Sequence, residues 1–285
     1  MDGETLRLGD ERGAVSIAMS DAVTAASVAR LFEPLRLATG RAGTGTDDEA
    51  PLEIERAGPC YRLVERTADG EVRTRRFRRL PSLLAAVEFA VLQRLLEGHH
   101  GETHLHASGA VVGGRAVLAL GPSGAGKSSL ALTWSRAGHP LLGDDVILAD
   151  ARGGVRGVPR LVKVSRRVLH AHGLSDDVTV APDPRSPELW WDPDRGGGWA
   201  RGVHRPALVA RVSFERRMST RLEPMTPAAG LRLLLDHVME AGLKPEESLD
   251  RLARIAESAT FVAVRFGSAR DAAAELAARA GGGTR

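Results

Sequence analysis

Eight consecutive residues, Gly121-Pro122-Ser123-Gly124-Ala125-Gly126-Lys127-Ser128, satisfy the pattern G-x-x-x-x-G-K-[ST] in full. A glycine-rich loop of this kind lets the backbone wrap an anion with its N–H groups turned inward, and the helix that follows directs its positive end at the same point. Lys127 can then supply a cation to the β- and γ-phosphates of a nucleoside triphosphate, and Ser128 can offer a hydroxyl to Mg²⁺. Ser129 continues the binding stretch into the helix. The expected ligands are ATP and Mg²⁺, held by Gly121, Pro122, Ser123, Gly124, Ala125, Gly126, Lys127, Ser128 and Ser129. Residue choice sharpens the reading. The chain has 39 basic residues, and only Lys127, Lys163 and Lys244 are lysines. A chain that otherwise uses arginine for positive charge keeps lysine where a compact, mobile ammonium is needed.

A phosphate loop alone does not define a reaction. The next acids along the chain are Asp144-Asp145, one short helix and one strand beyond the loop. A βαβ-type return is expected to lay that strand beside the first in the sheet. One carboxylate would then hold Mg²⁺, and the other would take the proton of an attacking hydroxyl. Asp145 joins Ser128 as an expected metal ligand, and Asp144, Asp145 and Lys127 are expected catalytic residues. His106 precedes a strand that returns through Gly113-Gly114, so it can lie beside Gly121 and act on the phosphate or the acceptor. Arg160 and Lys163 are further candidates for positioning phosphates. His99, His100 and His104 read as solvated, without metal-ligand spacing.

These residues need elements to carry them. Ala107–Val112 and Arg115–Leu120 read as two strands joined by the Gly-Gly turn, and the second feeds directly into the loop. A helix follows from Ser128 to about Ala137 and closes at Gly138. His139–Leu142 and Val146–Ala149 read as strands on either side of the acidic pair. Before this core, Asp21 caps a helix to about Phe32, with Val23, Ser27, Val28, Leu31 and Phe32 on one face. Pro34 ends it. Residues 40–50 read as a mobile loop. Leu52–Arg56, Tyr61–Arg66 and Val72–Phe77 read as strands, and a second helix, from about Pro81 to Glu97, carries a stripe of Leu84, Val87, Val91 and Leu95. After the core, Arg160–Val168 reads as strand or helix start, and Asp183–Gly202, rich in Pro, Gly and Trp, as a long surface loop. Ala207–Phe214 is a buried strand. A helix starts at Thr226-Pro227 and runs to about Glu240. Another starts at Pro245, with Leu249, Leu252 and Ile255 on one face. Thr260–Phe266 is a strand, and Ser268 with Asp271 opens the last helix.

The composition is that of a soluble globular chain: 285 residues, 43% hydrophobic and 26% charged, with a net charge of +3. The modest charge and few aromatics argue against a nucleic-acid partner. No apolar run reaches the length of a membrane span, and the first residues lack a secretory pattern. The expectation is a cytoplasmic protein without a membrane partner. Cys60 is the single cysteine, so an internal disulfide is ruled out.

The run Leu105-His106-Ala107-Ser108, the Gly-Gly hairpin, Gly121–Ser128 and Arg136-Ala137-Gly138-His139-Pro140-Leu141-Leu142-Gly143-Asp144-Asp145 resembles the catalytic domain of the HPr kinase/phosphorylase family, in its short type. The resemblance implies an α/β fold, a mixed sheet carrying the phosphate loop and related to phosphoenolpyruvate carboxykinase. A small N-terminal α+β domain would occupy residues 1–100 and the catalytic domain residues 101–285. It implies an ATP-dependent kinase acting on a serine hydroxyl of a protein or peptide. His106 would take the family's active-site histidine position, Asp144 and Asp145 the base and metal roles, and Ser128 the metal's hydroxyl ligand. It also implies a homo-oligomer. The family's downstream E-x-R-G stretch has no clean equivalent here. Two other readings stand beside this one: a small-molecule kinase of the shikimate- or gluconate-kinase type, and a non-catalytic ATP-binding regulatory module.

Overall fold

Apolar residues recur at every second position through Val15, Ile17 and Met19, and again through Leu52 and Ile54. That is the period of a strand with one buried face. In the computed structural model these segments lie in a five-stranded sheet. The structure describes residues 4–10, 14–36, 52–67, 69–174, 188–239 and 244–281. The chain divides into two compact units: Met1–His99 with Val164–Trp191, and His100–Lys163 with Asp192–Arg285.

In the first unit β1 (Glu4–Gly9) and β2 (Ala14–Met19) are followed by α1 (Ala22–Leu31), then β3 (Leu52–Ala57), β4 (Cys60–Arg66), β5 (Val72–Phe77) and α2 (Leu80–Glu97). The strands lie in the order β1-β2-β3-β4-β5, with only β2 and β3 parallel. Asp21 caps α1 by accepting a hydrogen bond from the Thr24 amide at 2.9 Å. Within α1 the buried side chains are Thr24, Ala25, Val28 and Leu31, while Val23 is 64% exposed, which turns the buried face away from the expected one. Leu84, Val87, Val91 and Leu95 of α2 are all buried, as the stripe requires. Burial of each such side chain stabilises by roughly 1.5–3 kcal/mol. The loop expected over 40–50 lies outside the described residues.

The second unit opens with β6 (Thr103–Leu105), β7 (Ser108–Val112), β8 (Arg115–Leu120), α3 (Lys127–Arg136), β9 (Leu141–Gly143), β10 (Ile147–Ala149) and β11 (Val155–Gly157). The chain then crosses at β12 (Val162–Ser165) into the first unit, to which α4 (Arg166–Ala171) and β13 (Glu188–Trp191) belong. The chain closes with β14 (Pro206–Phe214), β15 (Arg221–Met225), α5 (Pro227–Leu235), α6 (Pro245–Ser258), β16 (Thr260–Phe266) and α7 (Ala269–Gly281). Thr226 caps α5, and Ser268 accepts from the Asp271 amide at 3.3 Å at the start of α7.

Two sheets of the second unit matter for function. The larger has six strands in the order β15-β16-β14-β8-β7-β9, and the smaller three in the order β11-β10-β6. In the larger sheet β8, β14 and β16 run parallel, and β7 runs against β8. Leu118 and Leu120 of β8 join a core with Leu233 and Leu234 of α5 and Leu252 and Ile255 of α6. Val117 and Ala119 point the other way and are equally buried, on the side where Trp134 of α3 donates to the Ala273 carbonyl of α7 at 3.2 Å.

Several expectations are corrected. The strand before the acidic pair, β9, pairs with β7 and not with β8. The hairpin strand β7 already occupies that side of β8, and β14 occupies the other, so a βαβ return has no free edge to join. Trp190 and Trp191 do not belong to a surface loop: they are buried in β13, where the Trp190 indole donates to Glu88 at 3.2 Å. Leu249 is 42% exposed, off the buried face of Leu252 and Ile255. His99 and His104 are buried, not solvated. The His99 ring stands 2.8 Å from Asp10, a partner that its own sequence surroundings do not reveal. Among the described residues no helix is long and apolar enough to cross a membrane.

Candidate functional site

Register gathers the site. Because β7 runs against β8, its first residue, Ser108, stands opposite Ala119, next to the end of β8. There the chain enters Gly121. Gly109 pairs with Gly143, so the end of β9 and the start of Asp144 lie at the same level. His106 sits where the chain passes from β6 of the small sheet to β7 of the large one. Asp144-Asp145 sits where it passes from β9 of the large sheet to β10 of the small one. Both crossings therefore lie at the end of the large sheet where β8, β14 and β16 finish. In α/β sheets, the carboxyl ends of parallel strands are where ligands bind.

The loop is tightly seated. Gly126 has φ +97°, and a side chain there would meet the Phe266 ring at 2.6 Å. Phe266 ends β16 and contacts Phe214, the end of β14, edge to face at 5.8 Å. A glycine is required at Gly126 on both counts. Helix α3 begins at Lys127, so its unpaired amides and positive end face the loop. The Lys127 ammonium donates to the carbonyls of Gly121 at 2.7 Å and Pro122 at 3.2 Å. It is 6% exposed, with its ammonium folded back onto its own loop. Burial lowers its pKa, with Asp145 and Asp144 opposing that shift.

The two aspartates are placed differently. Asp144 is buried. The Ser108 hydroxyl lies 2.6 Å from its main-chain oxygen and 3.1 Å from its carboxylate, and the Ser128 side chain also hydrogen-bonds the carboxylate. Burial and then the Asp145 charge push its pKa up to about 7, against Arg160 and the two serine bonds. The Asp145 side chain is 40% exposed and forms an ion pair with Arg160 at 2.8 Å. His106 is half-buried, and its ring hydrogen-bonds the Asp145 main chain. Burial and then Lys127 lower its pKa, and Asp145 partly opposes. The imidazole is thus favoured in its neutral form, able to accept a proton or share one.

Lys127, His106, Asp144, Asp145 and Ser128 consequently form one electrostatically linked group within the second unit. Pro122, Ser123 and Gly124 line its exposed rim, Gly121 and Ala125 are buried, and Ser129 is half-buried one residue into α3. Arg160, weighed as a phosphate contact, has Asp145 as its partner. Lys163 is half-buried in β12. The oxygens of Ser128, Asp144 and Asp145 are hard donors of the kind Mg²⁺ takes, in a site that leaves positions for water and phosphate.

Two residues that touch the group carry no sequence signal of their own role. Ser108 orients Asp144, and hairpin register alone points to it. His237 lies 131 positions beyond His106, yet its carbonyl accepts from the His106 amide at 2.8 Å and Leu105 bridges to Val238. Its ring nitrogen Nδ1 stands 2.8 Å from the Leu233 carbonyl, and its charge bears on His106. Compared with models of known protein families and with curated proteins, the sequence matches none.

Proposed function

We propose that the chain is an ATP-dependent kinase that phosphorylates a serine hydroxyl on a protein or peptide. The observation that carries this reading is the convergence of Lys127, His106, Asp144 and Asp145 at the mouth of the 121–128 loop. In this reading the loop amides and the start of α3 hold the β- and γ-phosphates of ATP. Lys127 leaves the Gly121 and Pro122 carbonyls to meet the phosphate charge. Ser128 and Asp144, already hydrogen-bonded to each other, would hold Mg²⁺, which would neutralise charge on the phosphate oxygens. Asp145, the more exposed acid, takes the acceptor proton. The serine oxygen forms its bond to the γ-phosphorus as the bond to the bridging oxygen breaks, and ADP leaves with that electron pair. His106, neutral and bound to the Asp145 main chain, helps to place the acceptor hydroxyl.

The test is incubation with γ-labelled Mg-ATP and the polypeptides encoded beside its gene. Label on a seryl residue supports the reading, label on a metabolite replaces it with a small-molecule kinase, and ATP binding without transfer replaces it with a regulatory module. Asp144→Asn and Asp145→Asn should each lower transfer by about a hundredfold, the contribution of a positioned base or metal ligand, while ATP binding stays within a few-fold. Raising Mg²⁺ should partly restore Asp144→Asn and leave Asp145→Asn unmoved.

A further inference from the structure

The first unit ends its sheet on a strand with an unusual edge. Among the described residues β5 pairs with β4 alone. The Thr67 amide donates to the Glu71 carbonyl at 2.9 Å, one step beyond Arg66 opposite Val72, where the β4–β5 register ends. Residue pairs in an antiparallel ladder alternate between bonded and unbonded. Val72, Thr74 and Arg76 therefore direct their N–H and C=O groups outward, away from β4. Among the described residues no backbone bond covers them. Residues Val72 through Arg76 are all exposed, Val72 at 51%.

The charge on this edge is one-sided. Arg73, Arg75, Arg76, Arg78 and Arg79 fall within seven residues. Glu71 pairs with Arg73 at 2.9 Å and Glu65 with Arg75 at 2.7 Å. No ion pair among the described residues compensates Arg76, Arg78 or Arg79. A positive edge repels a second copy of itself, which protects it from self-pairing. The same charge selects a strand of opposite sign. A ladder of outward amides and carbonyls also demands a partner that can return backbone hydrogen bonds, which a polyphosphate cannot do.

We infer that β5 is a docking edge for an acidic peptide segment, which adds to the sheet as a sixth strand beside Val72–Phe77 while its carboxylates meet Arg76, Arg78 and Arg79. The inference rests on the proposed function only in taking that segment to belong to the phosphate acceptor. The main-chain ladder supplies affinity with little side-chain demand, and the arginines supply the preference for acid. Docking of this kind holds an acceptor by a segment other than the serine itself.

The test measures binding without nucleotide, so its outcome is independent of phosphoryl transfer. The probe is a fluorescein-labelled octapeptide of alternating glutamate and valine, followed by anisotropy at low salt. Three controls accompany it: the same peptide with every amide N-methylated, a lysine–valine counterpart, and a single-stranded oligonucleotide of equal charge. The Glu–Val peptide is expected to bind, and N-methylation to weaken it by about tenfold or more. The double variant Arg76→Glu/Arg78→Glu should weaken it similarly. The lysine peptide should not bind. Thr74→Pro removes one outward N–H and should lower affinity, with circular dichroism confirming the fold, and the methylated probe tests the same bond on the unaltered protein. Equal binding of the methylated peptide, or failure of the Glu–Val peptide to bind, overturns the inference. So does an oligonucleotide that binds as tightly as the peptide and ignores Thr74→Pro, which assigns the patch to nucleic acid.

Discussion

The Ser108 hydroxyl is shared between the main-chain oxygen and the carboxylate of Asp144, at 2.6 and 3.1 Å. One side chain thereby ties the direction of the carboxylate to the path of the backbone that carries it. Ser108 is fully buried, so water is poorly placed to replace its hydroxyl.

Ser108→Ala should therefore slow phosphoryl transfer by roughly 10- to 100-fold, the kinetic equivalent of one hydrogen bond to a charged group. ATP affinity should stay near normal, because the loop and Lys127 are untouched. Single-turnover transfer and calorimetric ATP titration measure the two separately. An unchanged transfer rate would remove Ser108 from the machinery.

Asp144 makes stability depend on pH. Its pKa rises from an ordinary 3.8 to about 7 in the folded chain. The folded state thus holds the proton more tightly than the unfolded state. The stabilisation from that proton is complete below pH 3.8 and is lost as pH rises through 7. Asp144→Asn should consequently be more stable than the parent at pH 8 in metal-free buffer, by on the order of a few kcal/mol. The difference should shrink toward pH 5. Denaturant titrations at several pH values measure it. A variant less stable than the parent at pH 8 would show that the buried carboxylate is better compensated than its surroundings indicate.

Arg160→Gln removes the cation held 2.8 Å from Asp145. Transfer should fall by about tenfold, with ATP binding unaltered, since the carboxylate loses its orienting partner. Arg160→Lys should recover part of the loss, limited by the missing guanidinium fork. Steady-state rates for the three proteins check the order. Parent-like turnover in Arg160→Gln would leave the ion pair as a structural contact only.

Gly126→Ala should destabilise the chain by about 1–3 kcal/mol, because alanine is disfavoured at φ +97° and its Cβ would press on Phe266. Gly124→Ala, at φ +80° with open space around it, carries only the backbone part and should cost less. Thermal melts of both variants test this ordering. Equal melting temperatures would mean that Phe266 yields freely.

Much of the architecture was legible because local signals were strong. Asp21, Thr226 and Ser268 mark helix starts, and the caps form. The α2 stripe and the strands β4, β5, β8, β14 and β16 follow from period and turn residues. What escaped depended on distant partners. The short runs of β1 and β2 become strands only through pairing, β2 beside β3 and β1 beside β2. Trp190 and Trp191 lie in a stretch whose proline and glycine content masks the apolar pair. The position of β9 is not visible in its own residues, because the hairpin strand β7 takes the edge that a parallel return would use. At the site, the loop and the acidic pair announce themselves by spacing. Ser108, the Asp145 partnership of Arg160 and the nearness of His237 arise from register and long-range pairing, which one sequence does not display.

The crossings at His106 and at Asp144-Asp145 also limit how such a site can change over time. Each links strands held in register in two different sheets, β6 with β7 and β9 with β10. Adding or deleting one residue in either crossing, where it shifts the register of a flanking strand, turns every side chain of that strand to its opposite face. Descendants of this chain can therefore retune the mouth of the site by substitution, and by varying length in outer segments, while the spacing of these two short passages stays frozen.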